Sequence, residues 1–516
     1  MTATPLLAVA ALATALSATP AAGPRFGAVV VIEVDIADAD ARQALIDGPY
    51  DVSNVRGDTV ELYATPEEVA QLESEGYGVR KAAIQPGERP VEWAEKAALG
   101  QYHNYAALTD ALESYAANYP AICRLSSLGH SYESRELWVL LITNNPDIEE
   151  DEPEFKYVAT MHGDEPVGTE LCLYLIDRLL GDYGIDPRIT ALVNSTAISI
   201  VPLMNPDGNM AGRRYNAQGY DLNRSFPTYP EELNASYYDG APLNAAGKPP
   251  EVVHVMNWSV ANSFVLSANF HTGALLVNYP YDDDDIPSYH DAPTPDDALF
   301  RDISERYSIH NSPMWNNPQF THGISNGTAW YSIDGGMQDW NYRYVSCNEV
   351  TIELSNVKWP SESTLPTFWA NNEESMLSYI EAVHIGVRGL VTDGATAEPL
   401  WAKVEVAGNA HPVFTDPDVG DYHRMLLEGV YDLTVSCDGY VSQTVRNVEV
   451  LDGPATRVDF ALLDPDINRN GSVDAADVQL IINALLGYDV PYPCDIDGGG
   501  LTATDLQRII NIILGS

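Results

Sequence analysis

An apolar run that leads directly into a histidine and a glutamate constrains this chain more than any other feature. Residues Tyr157 to Met161 have the length and composition of a short buried strand, and His162 and Glu165 follow them, just before a helix predicted to begin near Gly168. An imidazole and a carboxylate three residues apart can bind one ion, and zinc accepts both donor types. Because a catalytic zinc takes three protein ligands and keeps its fourth position for water, the motif needs a third ligand and a general base from elsewhere.

Taken alone, this pair is a weak signal. A chain with 11 histidines contains such spacings by chance. A second pair, His130 and Glu133, lies in a polar, turn-like stretch, and we interpret it as exposed surface. The surrounding sequence therefore has to decide which pair binds a metal.

Two later residues are candidates for the missing roles. His271 ends the apolar run 263–270, and Glu353 lies inside the β-branched run 351–354. Ligands at the C-terminal ends of neighbouring strands converge where open α/β sheets form their sites, and a carboxylate in such a run is costly to bury without a purpose. The alternatives are a structural histidine at a strand end and an edge strand whose glutamate faces water.

Length and charge define the broad class. A chain of 516 residues is too long for one core and predicts several domains. The formal net charge of −47 makes nucleic acid and anionic membranes poor partners. Residues 1–22 resemble a signal peptide, although no Lys or Arg precedes their apolar core, and no apolar run long enough to span a membrane follows. We therefore expect a secreted protein without a membrane span.

Patterns along the chain predict a multidomain protein. The alternation of helix and strand signals changes character from one stretch of the chain to the next. The predicted segments are a signal peptide (1–22), a small α/β unit of βαββαβ-like order that resembles a prosegment (25–83), a Pro/Glu-rich linker (84–100), an α/β mixed-sheet domain (101–387), a β-sandwich (388–462) and an all-α module (463–516).

Several unlinked motifs, in the right order, resemble the zinc metallocarboxypeptidases, and most closely the regulatory, or N/E-type, subfamily. The motifs are HGDE at 162–165, His271 after a long spacer, TIELSNVKWP around Glu353, GRRYNAQGYDLNRSFP at 212–227, NYPYD at 278–282 and NGTAWYSIDGGMQDWNY at 326–342. The resemblance implies an eight-stranded mixed sheet flanked by helices, followed by a transthyretin-like domain over 388–462. It also implies one catalytic zinc ion held by His162, Glu165 and His271.

The resemblance further assigns the catalytic roles. Glu353 is similar to the family's general base, which takes a proton from water and passes it to the leaving amine. Arg214 matches the arginine that steadies the carbonyl oxygen as it becomes an oxyanion. We prefer Arg214 to the adjacent Arg213 because of its spacing to Asn216 and Asn223.

Substrate-binding roles follow from the same resemblance. Asn223 and Arg224 look like the clamp for the substrate's terminal carboxylate, and Tyr331 like the tyrosine that closes over the substrate. Asp282 and Gln338 match positions that line the side-chain pocket and favour C-terminal Lys or Arg. An alternative remains open for Asp282, because it begins a run of four aspartates: a solvated acidic loop or an adventitious calcium site.

The last segment contains an internal repeat that resembles a dockerin. The stretch 477–487 recurs 28 residues later as 505–515. The first loop has the spacing of an EF-hand-type calcium site. Its candidate ligands are Asp466, Asn468, Asn470, Ser472, Asp474 and Asp477. The second loop, 495–505, is one residue short. A dockerin implies bound calcium and a cohesin-bearing scaffold as partner.

These observations favour a secreted zinc-dependent carboxypeptidase that acts on peptide or protein C-termini, prefers Lys or Arg there, and docks through its dockerin. Two alternatives stay open. One is a non-catalytic peptide-binding protein of the same fold, which the filled ligand, base and clamp positions disfavour. The other is an amide hydrolase for a non-peptide acyl substrate, against which the Asn223 and Arg224 clamp argues.

Overall fold

The computed structural model describes residues 29–82, 100–228, 243, 245–284, 290–496 and 499–514. The predicted signal peptide lies outside these residues, as does almost all of the predicted linker. Within them the chain forms four sheets, of which the largest has eight strands.

The N-terminal unit is a four-stranded antiparallel sheet with two helices, in the order βαββαβ. Its elements are β1 (Val30–Asp35), α1 (Ala39–Ile46), β2 (Asp51–Arg56), β3 (Thr59–Ala64), α2 (Pro66–Glu75) and β4 (Gly78–Lys81). The strand order is β2-β3-β1-β4. Helix α2 begins where predicted, because Thr65 and Glu68 form a reciprocal capping box around a proline at the first turn. Residues of β2 were not predicted as a strand, since a bulge between Val52 and Asn54 breaks its alternation.

The central unit is built on the eight-stranded sheet. Its strands are β5 (Cys123–His130), β6 (Glu136–Ile142), β7 (Glu154–Ala159), β8 (Ala197–Val201), β9 (Phe264–His271), β10 (Leu275–Tyr279), β11 (Ile324–Asn326) and β12 (Asn348–Leu354). Its helices are α3 (Tyr105–Asn118), α4 (Val167–Asp182), α5 (Pro187–Val193), α6 (Pro206–Ala211), α7 (Pro250–Val260), α8 (Asp297–Ser308), α9 (Ser312–Trp315), α10 (Gly327–Trp330), α11 (Met337–Val345) and α12 (Leu365–Glu381).

The sheet is mixed, as the resemblance implied, with the order β11-β10-β12-β9-β7-β8-β6-β5. Strands β12, β9, β7 and β8 run parallel to their neighbours in this set, and β5, β6 and β10 pair antiparallel. On β7, Tyr157 packs into the cluster that contains residues of α4 and α12, whereas Val158 packs into the cluster with residues of α7 and α11. Helices on both faces explain why the central strands are buried throughout.

The strand before the metal motif differs from its prediction at both ends. It begins at Glu154 and ends at Ala159, not at Met161, because Thr160 adopts a left-handed backbone conformation (φ 53°) that leaves the sheet. Its first half contains two buried charged residues, Glu154 and Lys156, which hydrophobic patterning cannot predict. Strands β5, β10 and β11 were also not predicted.

Two smaller units follow. The β-sandwich pairs one sheet, β16-β13-β19 with β20 alongside β13, with a second sheet, β15-β14-β17-β18. Its strands are β13 (Val387–Asp393), β14 (Lys403–Val406), β15 (Val413–Phe414), β16 (Asp421–Arg424), β17 (Gly429–Ser436), β18 (Gln443–Val450), β19 (Thr456–Arg457) and β20 (Phe460–Leu462). The C-terminal module consists of α13 (Ala475–Leu485) and α14 (Ala503–Leu514), whose buried residues include Ile481 and Ile509.

Candidate active site

Three adjacent parallel strands bring the predicted metal ligands and base to one end of the sheet. Strand β9 lies between β7 and β12, so Ala159 pairs with Phe270 and His271 pairs with Glu353. The residues that follow β7 therefore lie beside the last residue of β9. This register explains how a pair at one point of the sequence meets a histidine more than a hundred residues away. Since β12 is an interior strand, the alternative of an edge strand for Glu353 is wrong.

The loop that carries His162 fits against its neighbours without spare room. A Cβ atom at Gly163 would lie 2.1 Å from the backbone of Gly208 and 2.5 Å from the carbonyl oxygen of Arg213. The Gly163 N–H donates to the Arg214 carbonyl at 3.2 Å. Glycine is therefore required here, because the metal motif and the arginine loop approach each other backbone to backbone.

The three candidate ligand atoms converge on one point. His271 Nδ1 lies 3.0 Å from both His162 Nδ1 and Glu165 Oε2, and His162 Nδ1 lies 3.2 Å from Glu165 Oε1. Ligands about 2.0–2.1 Å from a tetrahedral zinc ion are about 3.3 Å apart. Burial and the neighbouring His162 lower the pKa of His271 to about 4, so its imidazole is neutral, as a ligand must be. The geometry and the donor types of His162, Glu165 and His271 thus fit zinc.

Asp221 contacts the ring nitrogen of His162 that faces away from the other two ligands. No role was assigned to Asp221 from the sequence. Its Oδ1 lies 3.0 Å from His162 Nε2, which orients the imidazole so that Nδ1 faces the other ligands. Burial opposes the charge of Asp221, but Arg214 and His162 hold its pKa well below the usual range. Its position within the DLNR motif was the available signal.

The two adjacent arginines differ in their surroundings. Arg214 is buried, donates to Asp221 Oδ2 at 2.8 Å, and lies 3.6 Å from Glu165 Oε1, whereas Arg213 is exposed. The guanidinium of Arg214 therefore faces the ligand set. A fixed cation in this position is suited to a developing oxyanion.

Glu353 lies on the same end of the sheet with one oxygen bonded to the backbone. Its Oε2 accepts from the Ala274 N–H at 3.3 Å. Burial and the negative charge of Glu165 raise the pKa of Glu353 to about 8. A divalent cation between the ligands would oppose both effects, because its charge favours the carboxylate.

The residues predicted to bind the substrate's C-terminal end, Asn223, Arg224 and Tyr331, line the same cleft as the ligands. Asn223 is buried, and its Oδ1 accepts from the Met337 N–H at 2.9 Å. Arg224 donates to its neighbour's carbonyl oxygen at 3.0 Å and to that of Val52 at 3.2 Å. Tyr331 donates to the carbonyl oxygen of Ser53 at 3.3 Å.

Of the two residues predicted for the side-chain pocket, Asp282 lines this cleft, whereas Gln338 is not among the residues that line it. Asp282 is buried, with only 2% of its surface exposed, so the alternative of a solvated acidic loop does not hold at this position. Its Oδ1 accepts from Asn278 at 3.3 Å, and its backbone N–H donates to Asp339. Gln338 is buried beside Asn278, at 3.5 Å. Gly327 must be glycine, since a Cβ there would lie 2.1 Å from Asp282 Oδ1.

Strand β2 of the N-terminal unit enters the cleft, which the sequence did not reveal. Val52 and Ser53 present their carbonyl oxygens to Arg224 and Tyr331, and Asn54 donates to the Gly273 carbonyl oxygen at 2.6 Å. The space that remains in the cleft is about 20 Å³. One water molecule needs roughly 10–15 Å³ of such space, so a substrate residue does not fit while β2 is in place.

Polar and apolar contacts both hold the N-terminal unit against the cleft. Lys358 Nζ donates to Tyr63 at 3.0 Å and to Ser53 Oγ at 2.5 Å, and Tyr63 also bonds to Asp164, the residue before the ligand Glu165. One hydrophobic cluster joins residues of the two units. Its members include Val52, Val55, Leu62, Leu276, Phe320, Trp330 and Tyr331.

The candidate calcium loop is arranged by backbone hydrogen bonds to its carboxylates. Asp466 accepts from the N–H groups of Asn470 and Gly471, at 3.1 and 2.6 Å. Asp474 and Asp477 form a capping box at the start of α13, and Asp477 also accepts from Asn468 at 2.9 Å. Side chains of Asn470 and Ser472 lie on the exposed part of the loop. Calcium binding here stays a prediction.

The second His-x-x-Glu pair of the sequence, His130 and Glu133, is exposed, as expected.

An eight-stranded mixed sheet with two histidines and a glutamate converging beside a buried glutamate defines a mononuclear metallohydrolase-type centre. Residues 108–375 match the zinc carboxypeptidase family, and residues 386–463 match the carboxypeptidase regulatory-like domain. The chain belongs to the zinc carboxypeptidase family.

Known carboxypeptidases are similar in sequence to about two thirds or more of this chain. Human carboxypeptidase D is 42% identical over 390 residues, which are 72% of this chain but 27% of that protein. Mouse carboxypeptidase M is 40% identical over 366 residues, 67% of this chain and 80% of that protein. A crystal structure of carboxypeptidase A from Helicoverpa armigera shares the fold, with a TM-score of 0.55 and 17% identity, covering 68% of this chain and 96% of that one. Among the described residues, no helix is long and apolar enough to cross a bilayer.

Proposed function

We propose that this chain is a secreted zinc-dependent carboxypeptidase that releases the C-terminal residue of peptides or proteins, with a preference for Lys or Arg. The observation that supports this most strongly is the convergence of His162, Glu165 and His271 within 3.0–3.2 Å of one another, in a cleft shared with Glu353 and Arg224. A silent peptide-binding protein has no need of a buried base beside a complete ligand set.

The residues of the cleft divide the reaction among themselves. Zinc, when bound, supplies a Lewis acid and lowers the pKa of water. Glu353 takes a proton from the attacking water and returns it to the leaving nitrogen. Arg214 faces the position where negative charge develops on the carbonyl oxygen.

The clamp makes the reaction specific for chain ends. Arg224 binds the terminal carboxylate through its planar guanidinium, with the Asn223 amide beside it, and Tyr331 covers the bound residue. Asp282, buried at the far side of the cleft, pairs with a cationic side chain. A substrate without a free C-terminal carboxylate loses the clamp contact, which favours peptides over other acyl compounds.

We further propose that residues 25–83 act as an inhibitory prosegment. The Val52 and Ser53 carbonyl oxygens contact Arg224 and Tyr331, the residues assigned to substrate binding. Cleavage in the linker 84–100 would let the unit leave the cleft. For the C-terminal module we propose a calcium-loaded dockerin that binds a cohesin-bearing scaffold, on the spacing of the first loop alone.

The test uses the full chain before and after cleavage within 84–100, with peptides ending in Arg, Leu, Glu or an amidated Arg, and with or without a chelator. A carboxypeptidase releases Arg fastest, spares the amidated peptide and stops with chelator. Binding without release would support the silent binding protein. Equal turnover of amidated peptides would support an amide hydrolase without a clamp.

A further inference from the structure

A second cavity, of about 400 Å³, lies at the opposite end of the central sheet, against the β-sandwich. Its walls combine the segment before and at the start of β7, the start of β9, and loops of the β-sandwich. It shares no lining residue with the catalytic cleft. Its volume falls in the range of small-molecule sites, whose lower end is roughly 300 Å³.

Four of the carboxylates that line this cavity have no Arg or Lys partner among the described residues. Glu152, Glu154 and Asp416 are each at least 92% buried, and Glu149 lies at the rim. No arginine or lysine nitrogen lies within 4 Å of any of these four, over the part of the chain that the structure describes. Asp421, also in the wall, pairs with His423 at 2.9 Å. The cavity therefore gathers four carboxyl groups that no Lys or Arg of the described residues balances.

Glu154 is the carboxylate whose bonding is incomplete. Its Oε2 is buried and has no hydrogen-bond partner among the described residues, whereas Glu152 accepts from Thr143 at 2.7 Å and Asp416 from Ser263 at 3.0 Å. Burial raises the pKa of Glu154 well above its usual range, and the charges of Glu149, Asp416 and Asp421 raise it further. A buried carboxylate oxygen without a partner is costly unless a ligand supplies one.

Aromatic rings form much of the remaining wall. Trp401 and Phe414 are stacked, with ring centroids 5.5 Å apart, and Phe264 and Tyr422 also line the cavity. Aromatic faces attract ammonium and guanidinium groups and also pack against apolar stems. The combination of carboxylates and rings suits a ligand with both a positive charge and an apolar part.

A metal ion fits this cavity poorly. Calcium takes six to eight oxygen ligands about 2.3–2.6 Å from the ion, and the four carboxylates do not supply three oxygens within 4.8 Å of one another in the described structure. Asp151, Asp421 and His423 do form such a group nearby, but Asp151 is already paired with Arg457 at 2.7 Å and lies 3.5 Å from Arg388. Because the oxygens of these carboxylates lie too far apart to bind one metal ion together, they suit a larger ligand that reaches from one carboxylate to the next.

We propose that this cavity is a binding site for a small organic cation, an ammonium or guanidinium on an apolar stem, with Glu154 as its buried anchor and Trp401 as its aromatic wall. The cation lies between Glu154 and the carboxylates of Asp416 and Glu149. The stem packs against the Trp401 and Phe414 rings.

Calorimetric titration of the full chain with butylguanidinium tests this site, with 1-butanol as the neutral comparison. The probe has no carboxylate, so it cannot use the clamp at Arg224. We expect binding of butylguanidinium without binding of 1-butanol, weakened at least tenfold in Glu154→Gln and several-fold in Trp401→Ala. The matched control is Asp418→Asn, an exposed charge in the same loop as Asp416, which leaves the affinity unchanged.

Asp282→Asn separates this site from the proposed side-chain pocket, which would accept a cation only in molecules whose β2 has left the cleft. Thermal melts of each variant establish that it is folded. Absence of binding to the folded wild-type chain at millimolar probe would overturn the proposal. So would binding that Asp282→Asn removes and that both Glu154→Gln and Trp401→Ala leave intact. Neither outcome bears on the proposed peptidase activity.

Discussion

The two ends of the central sheet differ in how their buried carboxylates are balanced. At the C-terminal ends of the parallel strands, Glu165 and Asp221 lie against His162 and Arg214, within 2.7–3.6 Å. At the opposite end, four carboxylates have no Arg or Lys nitrogen within 4 Å in the described parts of the chain: Glu149, Glu152, Glu154 and Asp416. The spacing of the first set fits one metal ion, whereas the second set lines a cavity with room for a larger ligand.

The two ends also differ in what covers them. The N-terminal unit leaves about 20 Å³ in the catalytic cleft, whereas the β-sandwich leaves about 400 Å³ in the other cavity. Strand β2 blocks the catalytic cleft because its carbonyl oxygens accept hydrogen bonds from the proposed substrate-binding residues Arg224 and Tyr331. The β-sandwich adds aromatic side chains to the wall of the other cavity and leaves its interior open.

The largest effect expected at the catalytic end is that of Glu353→Gln. Loss of the general base should lower kcat/KM of the linker-cleaved enzyme by about 10²–10⁴. Zinc content, measured by atomic absorption, should stay at one ion per chain, since the ligands are His162, Glu165 and His271. Unchanged turnover would remove Glu353 from its role.

Arg224→Ala should have the next largest effect. Arg224 is half-buried, and a bound C-terminal carboxylate would cover it. Loss of such a hydrogen-bonded charge pair costs about 2–5 kcal/mol and should appear as a raised KM for peptides with a free C-terminus. The control is Arg213→Ala, which removes an exposed arginine next to Arg214 and should leave KM unchanged. If Arg224→Ala binds free and amidated peptides as the parent does, the clamp lies elsewhere.

Asp282→Asn should change selectivity more than rate. Removing the buried charge should lower the preference for Arg over Leu about 10–100-fold, with little change for Leu, because a desolvated ion pair is lost. Asp283→Asn, at a half-buried neighbour in the same loop, is the matched control. If Asp282→Asn keeps the preference for Arg, a residue other than Asp282 binds the basic side chain of the substrate.

The smallest expected effect is on the contact between the N-terminal unit and the catalytic cleft. Asn54→Ala removes the hydrogen bond to Gly273 and should raise the residual activity of the uncleaved chain by about 2–10-fold, the equivalent of one net hydrogen bond. Gln71→Ala, on the exposed face of α2, should have no effect. Equal residual activities would show that this contact does not hold the unit in place.

The sequence was sufficient for five of the eight strands of the catalytic sheet and for the ligand set His162, Glu165 and His271, because each ligand follows an apolar strand or lies in a recognisable motif. It was not sufficient for β2, whose alternation is broken by a bulge, or for the role of Asp221, which acts through His162. The strand start at Glu154 and Lys156 also could not be predicted. Hydrophobic patterning assigns such residues to the surface, and Lys156 is buried only because Ser259 and Asn341 accept its hydrogen bonds.

The most direct test of a covered zinc carboxypeptidase is the release of Arg from a peptide substrate before and after cleavage within 84–100, with zinc content measured in both forms. We predict one zinc ion per chain in each form, and at least a tenfold rise in activity on cleavage that a chelator abolishes. Equal activity in the two forms would contradict the inhibitory role of β2, and chelator-resistant activity would contradict the metal site itself.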